Sequence, residues 1–235
     1  MIIADFHSHI LPRMDDGSRS VAESVQMLKM GQEQGIEYIV ATPHFYPHNE
    51  TPDKFLARRE IAANALQGEL AEALPQVILG AEVYYFPGMS ESESLKELTI
   101  HGGKYILVEM PMTVWSDRML QELEDIHAKQ GLTPVVAHVD RYLVFWRNRK
   151  LLERLAQMPV LVQANASFFL RCGTAKRAMK MLKKGQIQLL GSDCHNLKDR
   201  PQNLGKAVER IERMLGAETL ERIGYYQSLV SGKNL

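Results

Sequence analysis

Cysteine is scarce in this chain. Only Cys172 and Cys194 occur in 235 residues, which excludes a disulfide framework and makes a reducing cytoplasm the expected compartment. An excess of charge of one sign is missing too. Lys+Arg and Asp+Glu each total 28, for a formal net charge of zero, so bulk electrostatics gives no ground for a nucleic-acid partner. No apolar run approaches the roughly 18 residues needed to span a bilayer, and the opening residues lack the pattern of a signal peptide. A cytoplasmic protein with no direct membrane insertion is expected, free to dock onto a membrane-bound partner or to form a homo-oligomer. Linkers, low-complexity stretches and composition shifts are also absent, so one domain over residues 1–235 is expected. With 45% hydrophobic and 24% charged residues, the chain has an ordinary globular composition and enough length for a sizeable core.

What is present is a repeat of short apolar runs, each ending in a polar residue and followed by an amphipathic segment. Strands are predicted near Ile2–Phe6, Tyr38–Thr42, Val77–Ala81, Tyr105–Val108, Pro134–Ala137, Val160–Gln163 and Ile187–Leu190. Helices are predicted between them: one capped by Ser18 or Ser20 and running to Gln34, then Asp53–Ala73, Ser92–Thr99, Asp117–Gln130, Asn148–Gln157 and Thr174–Lys184. Two more, Gln202–Leu215 and Glu218–Ser231, close the chain. Alternation of this kind implies parallel pairing. Seven units rather than eight predict a distorted (β/α)7 TIM-like barrel, with an open doubly wound sheet as the alternative.

In a barrel the residues that end each strand converge on one face, where active sites sit. Here those residues are His7, His9, Asp16, His44, Glu82, Glu109, His138, Asp193 and His195. His7 and His9 stand two apart, so on a strand they project together. Any one of these residues reads as an ordinary structural or solvated side chain. Nine N/O donors gathered at one mouth do not, because without cations they would leave imidazoles and carboxylates mutually unsatisfied. They exceed the four to six ligands one ion takes, so two or three ions with a bridging carboxylate such as Glu82 are expected. Mixed imidazole and carboxylate ligands suit Mn, Fe or Zn.

Such a cluster activates water and clamps an in-line displacement at phosphorus. A phosphate-ester hydrolase and a binuclear amide hydrolase compete at this point. Arg141, three after His138, and Arg200, five after His195, favour phosphate, which a guanidinium grips in bidentate fashion. Phe45, Tyr46, Phe86, Trp115, Phe145 and Trp146 also follow strand ends and offer material for an aryl wall. Cys194 and Arg200 reproduce the Cys-x5-Arg spacing of a thiolate phosphatase. The intervening His-Asn-Leu-Lys-Asp has no glycine to cradle phosphate, however, and Asp193 would oppose a thiolate. Rival readings are a metal-dependent nuclease, disfavoured by the neutral charge, and a non-catalytic binding module.

Taken together, His7-x-His9, Asp16-Gly17, Thr42-Pro43-His44, Glu82, Glu109, His138 and Gly191-Ser192-Asp193-x-His195 resemble the PHP (polymerase and histidinol phosphatase) superfamily. The stretches DFHSHILPRMDDGS, ATPHFYP, AHVDRY and GSDCHNLKDRP resemble its bacterial tyrosine phosphatases of the CpsB/CapC/YwqE group. The resemblance runs over nearly the whole chain, with Pro12-Arg13-Met14 a little less typical. It implies the PHP fold and three divalent ions, commonly Mn2+. One ion would use His7, His9, Glu82 and Asp193; a second Glu82, Glu109 and His138; a third Asp16, His44 and His195. Asp16 is preferred to Asp15 on the match. Arg141 and Arg200 would hold the phosphoryl group while a metal-bound hydroxide attacks phosphorus in line. The implied partner is the phosphotyrosine-bearing tail of a bacterial tyrosine kinase that regulates capsular or exopolysaccharide synthesis. A PHP phosphatase of a small ester such as histidinol phosphate is the alternative.

Overall fold

A computed structural model describes residues 3–232, with Arg149 described by its backbone alone. Met1 and Ile2, where the first strand was expected to begin, lie outside the described residues. The elements run β1 Ile3–Ser8, α1 Val21–Glu33, β2 Ile36–Ala41, β3 His44–Phe45, α2 Pro52–Gln67, β4 Gln76–Leu79 and β5 Glu82–Tyr84. They continue with β6 Tyr105–Glu109, α3 Asp117–Gln130, β7 Thr133–Val136, α4 Val139–Tyr142, α5 Leu151–Leu155, β8 Leu161–Asn165 and α6 Ala166–Leu170. The last are α7 Ala175–Lys183, β9 Leu189–Gly191, α8 Leu204–Leu215 and α9 Ala217–Ser231.

Among the described residues every strand pairing is parallel, in the orders β1-β2-β4 and β3-β5-β6-β7-β8-β9. The two groups are one wall. Pro43 has no N–H to give a ladder, so it splits one stave into β2 and β3, and Gly80-Ala81 splits the next into β4 and β5. Gly80 N donates to Ala41 O at 2.9 Å and Glu82 N to Pro43 O at 3.0 Å across those breaks. The ring closes where Ser8 bridges Cys194, with His9 N donating to Cys194 O and Asp193 N to His7 O, each at 2.8 Å. Seven parallel staves result, the distorted barrel that the alternation predicted.

Side-chain alternation fills it. Ala4, Phe6, Val40, Ile78, Leu107, Val135 and Leu189 form an inner cluster, joined by Ile100 and by Val230 of α9. Their sequence neighbours, among them Ile39, Ile106, Val136 and Leu190, belong to a larger cluster between the staves and the helices. On four staves the inward parity leads on to the mouth: Val40 to Thr42 and His44, Ile78 to Glu82, Leu107 to Glu109, Leu189 to Asp193. Strand β1 would break this rule, since Ala4 and Phe6 point inward and His7 would then point out. A bulge corrects it. Asp5 pairs with Ile39 but Ser8 with Ala41, so three steps on β1 match two on β2, and Phe6 and His7 both face inward.

The helix ends mostly follow their sequence signals. Ser20, not Ser18, caps α1, its hydroxyl accepting from Glu23 N at 3.2 Å. Helix α3 has the expected limits, stopped by Gly131 at φ +69°. Helix α2 ends at Gln67 before Gly68 rather than reaching Ala73. The 92–99 segment is a 3-10 helix over Glu93–Leu98, and 148–157 splits into a 3-10 turn and α5.

Candidate functional site

The staves deliver all nine expected donors, together with Arg141 and Arg200, to the C-terminal mouth of the barrel. His7 Nε2 lies 3.2 Å from His9 Nε2 and 3.1 Å from Glu82 Oε2. Both imidazoles stand 3.6–3.7 Å from Asp193 Oδ1. His138 Nε2 meets Glu82 Oε1 at 2.9 Å and Glu109 Oε1 at 3.6 Å. His44 straddles two neighbourhoods, with Nδ1 3.0 Å from Glu82 Oε2 and 3.5 Å from Glu109 Oε2, and Nε2 3.6 Å from Asp16. His195 Nε2 is 3.4 Å from the same Asp16 oxygen. Glu82 thus sits at the centre, within reach of four histidines.

Several of these contacts are convergences rather than hydrogen bonds. The buried atoms His44 Nδ1, Glu82 Oε2, Glu109 Oε2 and His195 Nε2 have no hydrogen-bond partner among the described residues. Two ligands held about 2.1 Å from one ion lie about 3.0 Å apart at a right angle and about 3.4 Å apart in a tetrahedron. The His7–His9 separation falls between these. The donor set therefore fits divalent cations. Three groupings place their ligand atoms within 4.8 Å of one another: His9, Asp16, His44 and His195; His7, His9 and Glu82; His44, Glu82 and Glu109.

Neutral and acidic side chains behind the mouth aim these rings. Asp15 accepts from His9 Nδ1 at 2.7 Å, from His44 N at 2.8 Å and from Gly17 N at 2.9 Å. Asp16 is 66% exposed and faces His44 and His195 instead. The two adjacent aspartates thus divide the work, one orienting and one facing the cluster. Gln163 on β8 accepts from His7 Nδ1 at 3.3 Å and from His138 N at 2.5 Å. It donates to Asn165 Oδ1 at 3.2 Å, and Asn165 donates to Asp193 at 2.8 Å. His195 Nδ1 lies 3.0 Å from Asp193 O. The imidazoles of His7, His9 and His195 are so fixed through Nδ1 with Nε2 turned to the mouth, the usual support of a metal-ligating histidine.

Gln163 and Asn165 were missed in the sequence, where Asp15 figures only as the lesser alternative to Asp16. The available signal was Gln163-x-Asn165 at a strand end, with the same two-residue spacing as His7 and His9. Asp5 was missed too. Fully buried, it accepts from Ser192 N and Oγ, His7 N and Gln202 Nε2, tying β1 to β9 and to the start of α8.

Backbone geometry supports the same centre. His138 and Asp193 hold positive φ of 28° and 56°, a left-handed conformation that non-glycine residues keep only where surroundings enforce it. A Cβ on Gly17 would fall 2.2 Å from His9 O, and one on Gly191 2.5 Å from His7 Cβ. Both close approaches require glycine.

The electrostatics are those of a concentrated charge site. Burial pushes the Glu109 carboxyl up, and neighbouring Glu82 adds to it. Burial works against charge on His9, yet Asp15 and Glu82 outweigh it and raise that imidazole to about 10. Burial and His9 together lower His195 to about 3. Arg141 and Arg200 each place a terminal nitrogen on a different oxygen of Asp193. That leaves each planar fork with further donors. Cys194 is fully buried in the wall, its thiol pushed up by burial and by Asp5 and Asp193. It has neither the exposure nor the thiolate character of a nucleophile.

A parallel barrel whose mouth gathers donors for divalent ions beside two anchored guanidinium groups belongs to the metal-dependent phosphatases in class. The particular family follows from comparison. The family described as "Capsular polysaccharide synthesis, CpsB/CapC" matches residues 3–229, and the chain belongs to it. Tyrosine-protein phosphatase CpsB of Streptococcus pneumoniae is 31% identical over 232 residues, covering 93% of each chain. Tyrosine-protein phosphatase YwqE of Bacillus subtilis is 30% identical over 227 residues, covering 91% of this chain and 85% of its own. Among solved structures, one of the metal-dependent tyrosine phosphatases YwqE of Bacillus subtilis and CpsB of Streptococcus pneumoniae matches at a TM-score of 0.85 with 25% identity. It covers 99% of this chain and 96% of that one. No helix among the described residues is long and apolar enough to cross a membrane.

Proposed function

We propose that this chain is a metal-dependent protein-tyrosine phosphatase. The observation that carries this reading is the junction at Asp193, where the donor cluster and both phosphate-sized guanidinium forks meet on one carboxylate. His7, His9, Asp16, His44, Glu82, Glu109, His138, Asp193 and His195 are the metal ligands, three ions in all, with Mn2+ first and Fe or Zn as alternatives. Bound ions supply an activated water and positive charge against the phosphate oxygens. Arg141 and Arg200 bind the remaining phosphate oxygens through the donors that Asp193 leaves free, and oppose the charge that spreads over the equatorial oxygens in the transition state. Asp193 holds both forks in place, and Asp15 and Gln163 keep His9 and His7 in the orientation the centre needs.

The substrate is phosphotyrosine on the tail of a bacterial tyrosine kinase of capsular or exopolysaccharide synthesis, handled in the cytoplasm by a chain that forms one domain. The names of the relatives support phosphotyrosine over a small ester such as histidinol phosphate. The test is phosphate release by the metal-loaded protein from a phosphotyrosine peptide and from histidinol phosphate, side by side. The expected kcat/KM is at least tenfold higher for the peptide. Equal or reversed preference contradicts the substrate assignment.

A further inference from the structure

Two cavities flank the donor cluster, and they differ in character. One, of about 470 Å3, is polar and includes Asp140, Arg141, Asn165, Ser167, Arg171 and Arg200. The other, of about 510 Å3, is bordered by Met14, Asp16, His44, Tyr46, Glu50 and Arg58. The aromatic side chains that follow strand ends separate accordingly. Phe45 and Trp115 are buried in packing, and Trp146 stands 66% exposed at the start of the 3-10 turn after α4. Tyr46 lies at the second cavity, half-buried, with its ring stacked on His44 at 5.0 Å and 28°. Tyr84 backs it at 5.6 Å and His48 at 5.7 Å. No hydrogen bond holds its hydroxyl among the described residues, so packing alone fixes the ring.

We infer that Tyr46 is the aryl platform of the site, and that it sets the direction in which substrate lies. The phosphate is gripped from the arginine side, and the phenyl ring of the leaving group lies in the Met14–Tyr46 cavity against the Tyr46 ring. The arginine cavity offers an aryl group mostly charged and polar surface. The Tyr46 cavity offers an aromatic face and a thioether, which attract a ring by stacking and sulfur contact. The platform stacks on His44 and lines one cavity with His44 and Asp16, so a ring resting there lies beside the donors. Tyr46 is on this account a residue that selects aryl over alkyl phosphate monoesters.

This inference rests on the phosphatase reading, and its test separates the two. Phenyl phosphate and ethyl phosphate are compared as substrates of the Mn2+-loaded wild type, Tyr46→Phe, Tyr46→Leu and Tyr46→Ala, with bound metal measured in each. Wild type is expected to prefer the aryl ester. Tyr46→Phe keeps that preference, and Tyr46→Leu and Tyr46→Ala lower it by about two- to tenfold through loss of stacking, with bound metal unchanged. An unchanged preference in Tyr46→Leu overturns the inference. So does an equal loss on both esters, or a loss of bound metal, which would make Tyr46 a support for His44. If wild type releases phosphate from neither ester, the phosphatase reading is decided separately by phosphate release from the phosphotyrosine peptide. The same ratio, read from calorimetric binding of phenylphosphonate and ethylphosphonate, then decides on Tyr46.

Discussion

Gln163 is uncharged and lies on the one stave that sends no expected metal donor to the mouth, yet the structure makes it a keystone. Consider Gln163→Ala. Its carbonyl oxygen accepts from both the His138 amide and His7 Nδ1, and Gln163, His7 and His138 are all buried. Truncation orphans two buried donors, each costing about 1–3 kcal/mol. A water admitted by the shortened side chain recovers part of this, so the expected loss is about 2–4 kcal/mol. For a domain of this size that lowers Tm by roughly 4–16 °C. His7 also loses the bond that fixes its tautomer and ring plane. Removal of such an outer partner typically weakens metal binding about 10–100-fold. The assay is calorimetric titration of the chelated protein with Mn2+, run beside thermal unfolding. Wild-type affinity and wild-type Tm in Gln163→Ala would refute the claim that this amide positions the centre.

Three further outcomes follow from particular contacts. Cys194→Ser, at a buried thiol outside the reacting groups, should keep phosphotyrosine turnover within about twofold of wild type; loss of turnover in a folded variant would make the thiol a nucleophile. Arg141→Lys and Arg200→Lys should each lower kcat/KM on a phosphotyrosine peptide by about 10–100-fold, because lysine keeps the charge and loses the fork. Steady-state kinetics at wild-type metal content checks this, and unchanged kcat/KM would remove the arginines from phosphate binding. Gly191→Ala should fail to hold metal, because its Cβ would collide with His7 Cβ and the Gln163 amide; metal analysis of the purified variant decides, and full occupancy would contradict the packing argument.

The barrel was legible because hydrophobic alternation and strand-end chemistry agree in register. The run Leu107-Val108-Glu109 shows its inward and outward faces directly, and Asp117–Gln130 carries both its cap and its glycine stop. The interruptions were harder to see. Pro43 reads as a strand end, and only the pairing of His44 with Glu82 shows that the stave resumes beyond it. The bulge in β1 is likewise invisible to a two-residue period: alternation from Ala4 and Phe6 would send His7 outward. The reach of α2 was overestimated because its pattern continues past Gly68 in residues that instead form turns. The short helices α4 and α6, at Val139–Tyr142 and Ala166–Leu170, hold too few turns to show a helical period. In the site, charged and imidazole donors announce themselves at strand ends. Gln163 and Asn165 do not, because an uncharged amide looks the same whether it orients a ligand or meets solvent. Asp15 and Asp16 are neighbours of one chemistry, and only folding distinguishes the one turned under His9 from the one facing His44 and His195.

The central claim is that the nine donors hold metal ions which, with Arg141 and Arg200, hydrolyse phosphotyrosine. Its most direct test is phosphate release from a phosphotyrosine peptide after chelator treatment and again after Mn2+ is restored, with His44→Ala alongside. The account predicts activity abolished by chelation, recovered with Mn2+, and reduced by at least about 100-fold in His44→Ala. Turnover that survives complete removal of metal, or that persists in His44→Ala at the wild-type rate, would contradict it.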